Sequence, residues 1–229
     1  PVELPVLLRE GGPGAPQVYI SSGVHGNEPA GPMAVLDLLQ RRAFPENFSY
    51  TVFPLVNPDG LAARTRENAS GIDLNRDYGP EPLAYETRAQ LDWIGLRQYD
   101  LVLCLHEDDD GEGFYLYQHI EHPTRFDYAE TILQAAEPHT GIDGRTVIDD
   151  MPARKGRMFP PEYVIDLARH DLPEALRLHF HHGSRFTFTT ESPSRQSMDR
   201  RIAAQCAASE AIFRTFAEEL PLPGRRPAV

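Results

Sequence analysis

Leu101-Val-Leu-Cys-Leu-His106 sets five apolar residues in a row and ends them on an imidazole. An unbroken apolar run of this kind reads as a strand covered on both faces, at the centre of a sheet with helices on either side. Outward from it, short apolar runs alternate with longer helical periods. Strands are predicted over 17–22, 50–56, 114–117 and 185–190, and helices over 29–42, 83–97, 126–137 and 195–219. In the first helix Met33, Leu36 and Leu39 form the predicted apolar face. The alternation predicts an α/β fold. Two stretches, 57–82 and 141–161, are predicted to be irregular, the first from its many Gly, Pro, Asn and Asp residues. Loops of that length in compact domains usually carry function. The residues after Pro221 read as a frayed tail.

The 229 residues suffice for one domain, with 41% apolar and 24% charged residues, the balance of a soluble globular chain. The net charge of −12 argues against a general nucleic-acid binder, which needs a basic stripe. No apolar run approaches the ~20 residues that span a bilayer. Of the two cysteines, Cys104 lies inside the apolar run and reads as a small buried hydrophobe, so a disulfide framework is not expected. The cysteine count leaves the compartment open. A cytoplasmic protein is the expectation. A removed leader, giving a periplasmic or secreted protein, stays open because the chain begins at Pro1.

Four residues able to do chemistry follow or end predicted strands. His25 stands in Gly23-Val-His-Gly-Asn-Glu28, where His and Glu three residues apart can reach one metal ion from a turn entering a helix. Alone, that spacing more often means turn polar groups and a helix N-terminal acid. His106 ends the most apolar strand. Asn57 and Glu191 close two others. Ligands of open α/β sheets bind at the carboxyl ends of strands, which gives the convergence its weight. Two histidines and one glutamate, His25, Glu28 and His106, leave a fourth zinc position open for water, the arrangement of a catalytic site. A nearby carboxylate must then take the water proton and pass it to the leaving amine. Glu191, in Phe188-Thr-Thr-Glu-Ser-Pro193, is the candidate, with a helix N-terminal acid as the bland alternative.

With these residues in place, the sequence resembles the zinc carboxypeptidase family, the carboxypeptidase A-like metallopeptidases. The matching segments are Gly23-Val-His-Gly-Asn-Glu28, Val56-Asn-Pro-Asp-Gly60, Arg66-Glu-Asn-Ala-Ser-Gly-Ile-Asp-Leu-Asn-Arg-Asp77, the strand ending at His106, and Thr190-Glu-Ser-Pro193. The resemblance implies a three-layer α/β/α sandwich around a mixed, largely eight-stranded sheet, as a single domain. It implies one zinc ion per chain on His25, Glu28 and His106, with Glu191 as general base. By the same resemblance Arg66 stabilises the oxyanion, and Asn75 with Arg76 grips a substrate's free carboxylate. Elementary chemistry agrees, because a guanidinium offers paired donors to a carboxylate and a fixed cation near developing oxyanion charge lowers a barrier. The compact length is similar to the small bacterial members, including the murein peptide amidases, which cleave γ-D-glutamyl–diaminopimelate bonds. The digestive members carry a mobile tyrosine before the base; residues 169–182 hold none, which bears on specificity. The implied substrate is a peptide with a free carboxylate. The succinylglutamate desuccinylase/aspartoacylase group shares His-Gly-Asn-Glu and Asp-Leu-Asn-Arg and implies an N-acyl amino acid instead. It ranks second on Asn57-Pro-Asp-Gly60 and Glu191-Ser-Pro193.

Other features are read plainly. The acidic run Glu107-Asp-Asp-Asp-Gly-Glu112 is a solvated loop, or, in the sharper reading, a pocket for a cationic substrate group. His179, His181 and His182 could bind metal, but read first as a polar strand edge. His119 and His122 have ligand-like spacing without a partner in sight. Trp93, Tyr115 and Tyr117 read as core or sheet-face residues.

Overall fold

The computed structural model describes residues 3–121, 123–158 and 171–221. In chain order its elements are β1 (Leu7–Arg9), β2 (Gln17–Ser22), α1 (Ala30–Gln40), β3 (Ser49–Phe53), α2 (Pro58–Ala63), a 3-10 turn (Leu74–Arg76), α3 (Tyr85–Ile94), β4 (Leu101–Asp108), β5 (Tyr115–Ile120), α4 (Tyr128–Thr140), β6 (Val147–Ile148), β7 (Met151–Arg154), β8 (Arg157–Met158), α5 (Glu174–His181), β9 (Phe186–Pro193) and α6 (Met198–Glu219). The strands make one mixed sheet in the order β1-β3-β2-β4-β9-β5-β8-β7-β6. Among the described residues it has nine strands, against the eight or so expected. Three of them, β6 to β8, lie inside the stretch read as an irregular loop.

The apolar run at 101–105 is the heart of the sheet, as its composition demands. Leu101, Leu103 and Leu105 face one core with Val35 and Leu38 of α1, Ile132 of α4 and Phe213 of α6. Val102 and Cys104 face the other core with Ile94 of α3 and Leu178 of α5. Helices therefore cover both faces, the expected α/β/α sandwich. On α1 the buried face is Ala30, Gly31, Ala34, Val35 and Leu38, whereas Met33 and Leu36 are exposed. Small residues won that face because α1 presses hard onto the sheet: a Cβ on Gly31 would sit 3.0 Å from the Leu105 carbonyl oxygen.

Topology fixes where a site can form. β2 pairs in parallel with both β3 and β4. The chain leaves β2 through α1 to reach β3 on one side, then returns through α3 to β4 on the other. The carboxyl ends of β2 and β4 thus flank a topological switch point, where helices diverge and leave a crevice. No helix among the described residues is long and apolar enough to cross a membrane.

Candidate metal centre

His25 and His106 stand at the two lips of that crevice. Beyond β2, Gly23 takes a left-handed φ of +62° and turns the chain. The turn must then pass tightly under the next loop. A Cβ on Gly26 would lie 1.9 Å from the Gly60 carbonyl carbon, so only glycine lets the two backbones meet. Glu28 follows just before α1. His106 arrives at the end of β4, one residue before Glu107, which is locked from behind: its carboxylate accepts from Ala30 N at 3.0 Å and pairs with Arg201 of α6.

These placements bring three buried side chains together. His25 Nδ1 lies 2.5 Å from Glu28 Oε1, and His106 Nδ1 lies 3.0 Å from Glu28 Oε2. One ligand atom from each of His25, Glu28 and His106 falls within 4.8 Å of the others. Two imidazole nitrogens and a carboxylate oxygen, buried and converging, are a donor set that fits a divalent metal ion. The electrostatics point the same way. Burial pushes the Glu28 carboxyl up, but His106 and His25 outweigh it and hold it down to about 2. Against burial, Glu28 and Asp73 raise His25, and Glu28 raises His106. Against burial, Glu28 favours the protonated form of each imidazole, and the imidazoles favour its ionised form.

Asp73 is the residue that the sequence reading passed over. It lies inside the quoted Asp-Leu-Asn-Arg segment without a role. In the structure its Oδ1 sits 3.0 Å from His25 Nε2, so the imidazole is held on the side away from Glu28. A carboxylate behind a histidine fixes ring and tautomer and makes the free nitrogen a better ligand. The same Asp73 accepts from Arg66 Nε at 3.0 Å and from Asn75 N at 2.9 Å. Against burial, His25 and Arg66 hold its carboxyl well below the usual range.

Arg66 is thereby aimed at the centre, with Nη1 3.8 Å from Glu28 Oε1. Asn57 supports that loop rather than the chemistry: its Oδ1 caps α2 by accepting from Gly60 N at 2.8 Å, and its Nδ2 donates to the Arg66 carbonyl at 3.3 Å. Asn75 is half-buried in the 3-10 turn, and Arg76 beside it is exposed. Glu191 lies on β9 as the register partner of His106 on one side and of Tyr115 on the other. Burial raises its carboxyl well above the ordinary value, Glu28, Asp108 and Asp149 add to the rise, and His106 opposes it.

Other expectations meet mixed outcomes. In the acidic run Glu107 pairs with Arg201 and Asp108 with Arg145, whereas Asp109, Asp110 and Glu112 are exposed, Asp110 beside a likewise exposed Arg195. His179 and His181 are on helix α5, not a strand edge, and His182 caps its end. Burial lowers His119, and burial with His119 nearby drives His179 down to about 3. Tyr115 and Tyr117 are sheet-face residues packed against β6 to β8. His122, part of 169–182 and the tail lie outside the described residues.

The family description for the succinylglutamate desuccinylase/aspartoacylase catalytic domain matches residues 14–145, more than half of the chain. Carboxypeptidase SOL1 of Arabidopsis thaliana is 30% identical over 108 residues, which is 38% of this chain and 22% of the relative. Zinc carboxypeptidase A 1 of Anopheles gambiae is 35% identical over 78 residues, 30% of this chain and 18% of the relative. The matches thus span only about a fifth of these curated relatives' length. A Shewanella baltica protein assigned as a metallopeptidase superposes with a TM-score of 0.77 and 25% identity, over 92% of this chain and 81% of that one.

Proposed function

The chain belongs to the succinylglutamate desuccinylase/aspartoacylase catalytic-domain family, and on that premise we propose that it is a one-zinc hydrolase cleaving a peptide or amide bond beside a free carboxylate. The single observation that carries this reading is the buried convergence of His25, Glu28 and His106, with Glu191 in register beside His106. Zinc held there would supply a Lewis acid and acidify a bound water.

The chain's own residues do the rest. Glu191, raised by burial among other carboxylates, takes the proton of the attacking water and delivers it to the leaving amine. Arg66, fixed by Asp73 beside the ligands, supplies positive charge where the oxyanion develops. Asn75 and Arg76 bind the substrate's carboxylate, the guanidinium by paired donors. The carboxypeptidase or cell-wall peptide amidase type comes first, supported by the carboxypeptidase relatives. An N-acyl amino acid deacylase is the second reading, favoured by the family match over residues 14–145. Zinc-loaded protein assayed on C-terminal-residue peptides, γ-linked cell-wall peptides and N-acyl amino acids separates them. Turnover confined to the last group would overturn the first reading, and turnover of none would overturn both.

A further inference from the structure

We propose that Glu174 is a positioning residue that holds the Asn75 amide in the orientation that grips a substrate carboxylate. The inference rests on the carboxylate-binding role given to Asn75 above. Glu174 is the first residue of α5 and is 1% exposed. Its carboxylate accepts from Tyr19 Oη at 2.5 Å, Ser21 Oγ at 2.9 Å and Gln90 Nε2 at 2.8 Å. Tyr78 Oη donates in turn to Gln90 Oε1. A buried carboxylate is costly unless each oxygen is satisfied, and here β2 and α3 supply neutral donors to both oxygens. The consequence is mechanical: the start of α5 is bolted to the strand that leads to His25.

The bolt reaches the proposed substrate site through one bond. The backbone N–H of Glu174 donates to Asn75 Oδ1 at 3.1 Å. A carboxamide whose oxygen is engaged as acceptor turns its two N–H donors the other way. Those donors are what an anionic carboxylate needs. Flipped by rotation about its last bond, Asn75 would instead point its oxygen at the carboxylate and repel it. Asp73, accepting from Asn75 N at 2.9 Å, fixes the backbone of the same residue. Asn75 is therefore held at both ends, by a residue two positions earlier and by one 99 positions away.

The test uses succinate as the carboxylate probe and neutral succinamide as its control, titrated into zinc-loaded protein, with the Asn75 side-chain amide followed by NMR. Glu174→Gln places a donor among three donors at the same volume. We expect it to keep zinc, to weaken succinate about tenfold, the scale of one hydrogen bond to a charged group, to leave succinamide binding unchanged, and to shift the Asn75 amide signals. The double variant with Asn75→Ala should bind succinate no more weakly than Asn75→Ala alone. Should Glu174→Gln not fold, Ser21→Ala removes one of the three donors and should show a smaller effect of the same pattern. Succinate binding weakened by Asn75→Ala but untouched by Glu174→Gln, or fully additive losses, would overturn the role of Glu174 alone. Wild-type binding of succinate that Asn75→Ala leaves unchanged would overturn the carboxylate grip itself.

Discussion

His106 and Glu191 are register partners on the adjacent parallel strands β4 and β9. Partnered residues of neighbouring strands project from the same face, so ligand and base candidates are set side by side by sheet pairing, not by loops. A rigid relationship of this kind suits proton transfer, which depends on heavy-atom distances of a few ångströms. Glu191→Gln should therefore lower kcat by about 10²- to 10⁴-fold, the range for losing a general acid–base, while zinc content stays unchanged. Steady-state kinetics beside metal analysis checks this. Full activity in the variant would remove Glu191 from its role.

Asp73 ties His25 to Arg66 through one carboxylate. Asp73→Ala removes the partner of His25 Nε2 and of Arg66 Nε together. Loss of a carboxylate behind a metal-ligand histidine typically costs about 10- to 100-fold in metal affinity or activity. Zinc competition against a chelator of known affinity should show a loss in that range. Unchanged affinity would mean that His25 is oriented without Asp73.

The mutual pull between Glu28 and the two imidazoles also makes the metal-free protein sensitive to pH in both directions. Glu28 is depressed to about 2 from an ordinary 4.5, so its contribution to stability is present above about 4.5 and is lost as pH falls toward 2. His25 and His106 are raised from 6.5, so theirs is complete below about 6.5 and is lost as pH rises through their folded values. Thermal melting with chelator present should peak between these limits, at about pH 5–6. Because zinc needs both imidazoles neutral, its binding should release up to about two protons near pH 6 and fewer as pH rises. Calorimetry in buffers of different ionisation enthalpy measures that number. Proton release that is absent, or that grows with pH, contradicts the assignment.

Behind the centre, Arg201 pairs with Glu107, whose side chain is fully buried. Arg201→Ala leaves that buried carboxylate without its counter-charge, with only the Ala30 N–H still donating to it, and should cost about 3–5 kcal/mol. Denaturant unfolding checks the figure. Replacing the pair together with apolar residues should cost much less, since the penalty comes from the orphaned charge.

Legibility in the sequence followed the reach of each signal. The central strand was plain because burial on both faces leaves an unmistakable apolar run at 101–105. The helix at 30–40 was plain as an element, but its buried face was misread toward Met33 and Leu36. Large apolar residues draw the eye, while close helix–sheet contact selects Gly31 and Ala34. Helix α5 was missed: it is only eight residues long, and its histidines and arginine read as a polar strand edge. Strands β6 to β8 are two to four residues long, too short for alternation to show. Of the predicted metal ligands, His25 and His106 were legible from predicted strand ends and Glu28 from its spacing to His25, and the fold brings the three together. Asp73 and Glu174 were not, since their partners lie 48 and up to 155 positions away and only the fold unites them.

The account turns on His25, Glu28 and His106 holding a single ion. Zinc X-ray absorption on the loaded protein tests that most directly. We predict about one zinc per chain, with two imidazole nitrogens and oxygen neighbours at roughly 2.0–2.2 Å. A sulfur neighbour near 2.3 Å, or an identical spectrum and stoichiometry from the His25→Ala/His106→Ala variant, would contradict it.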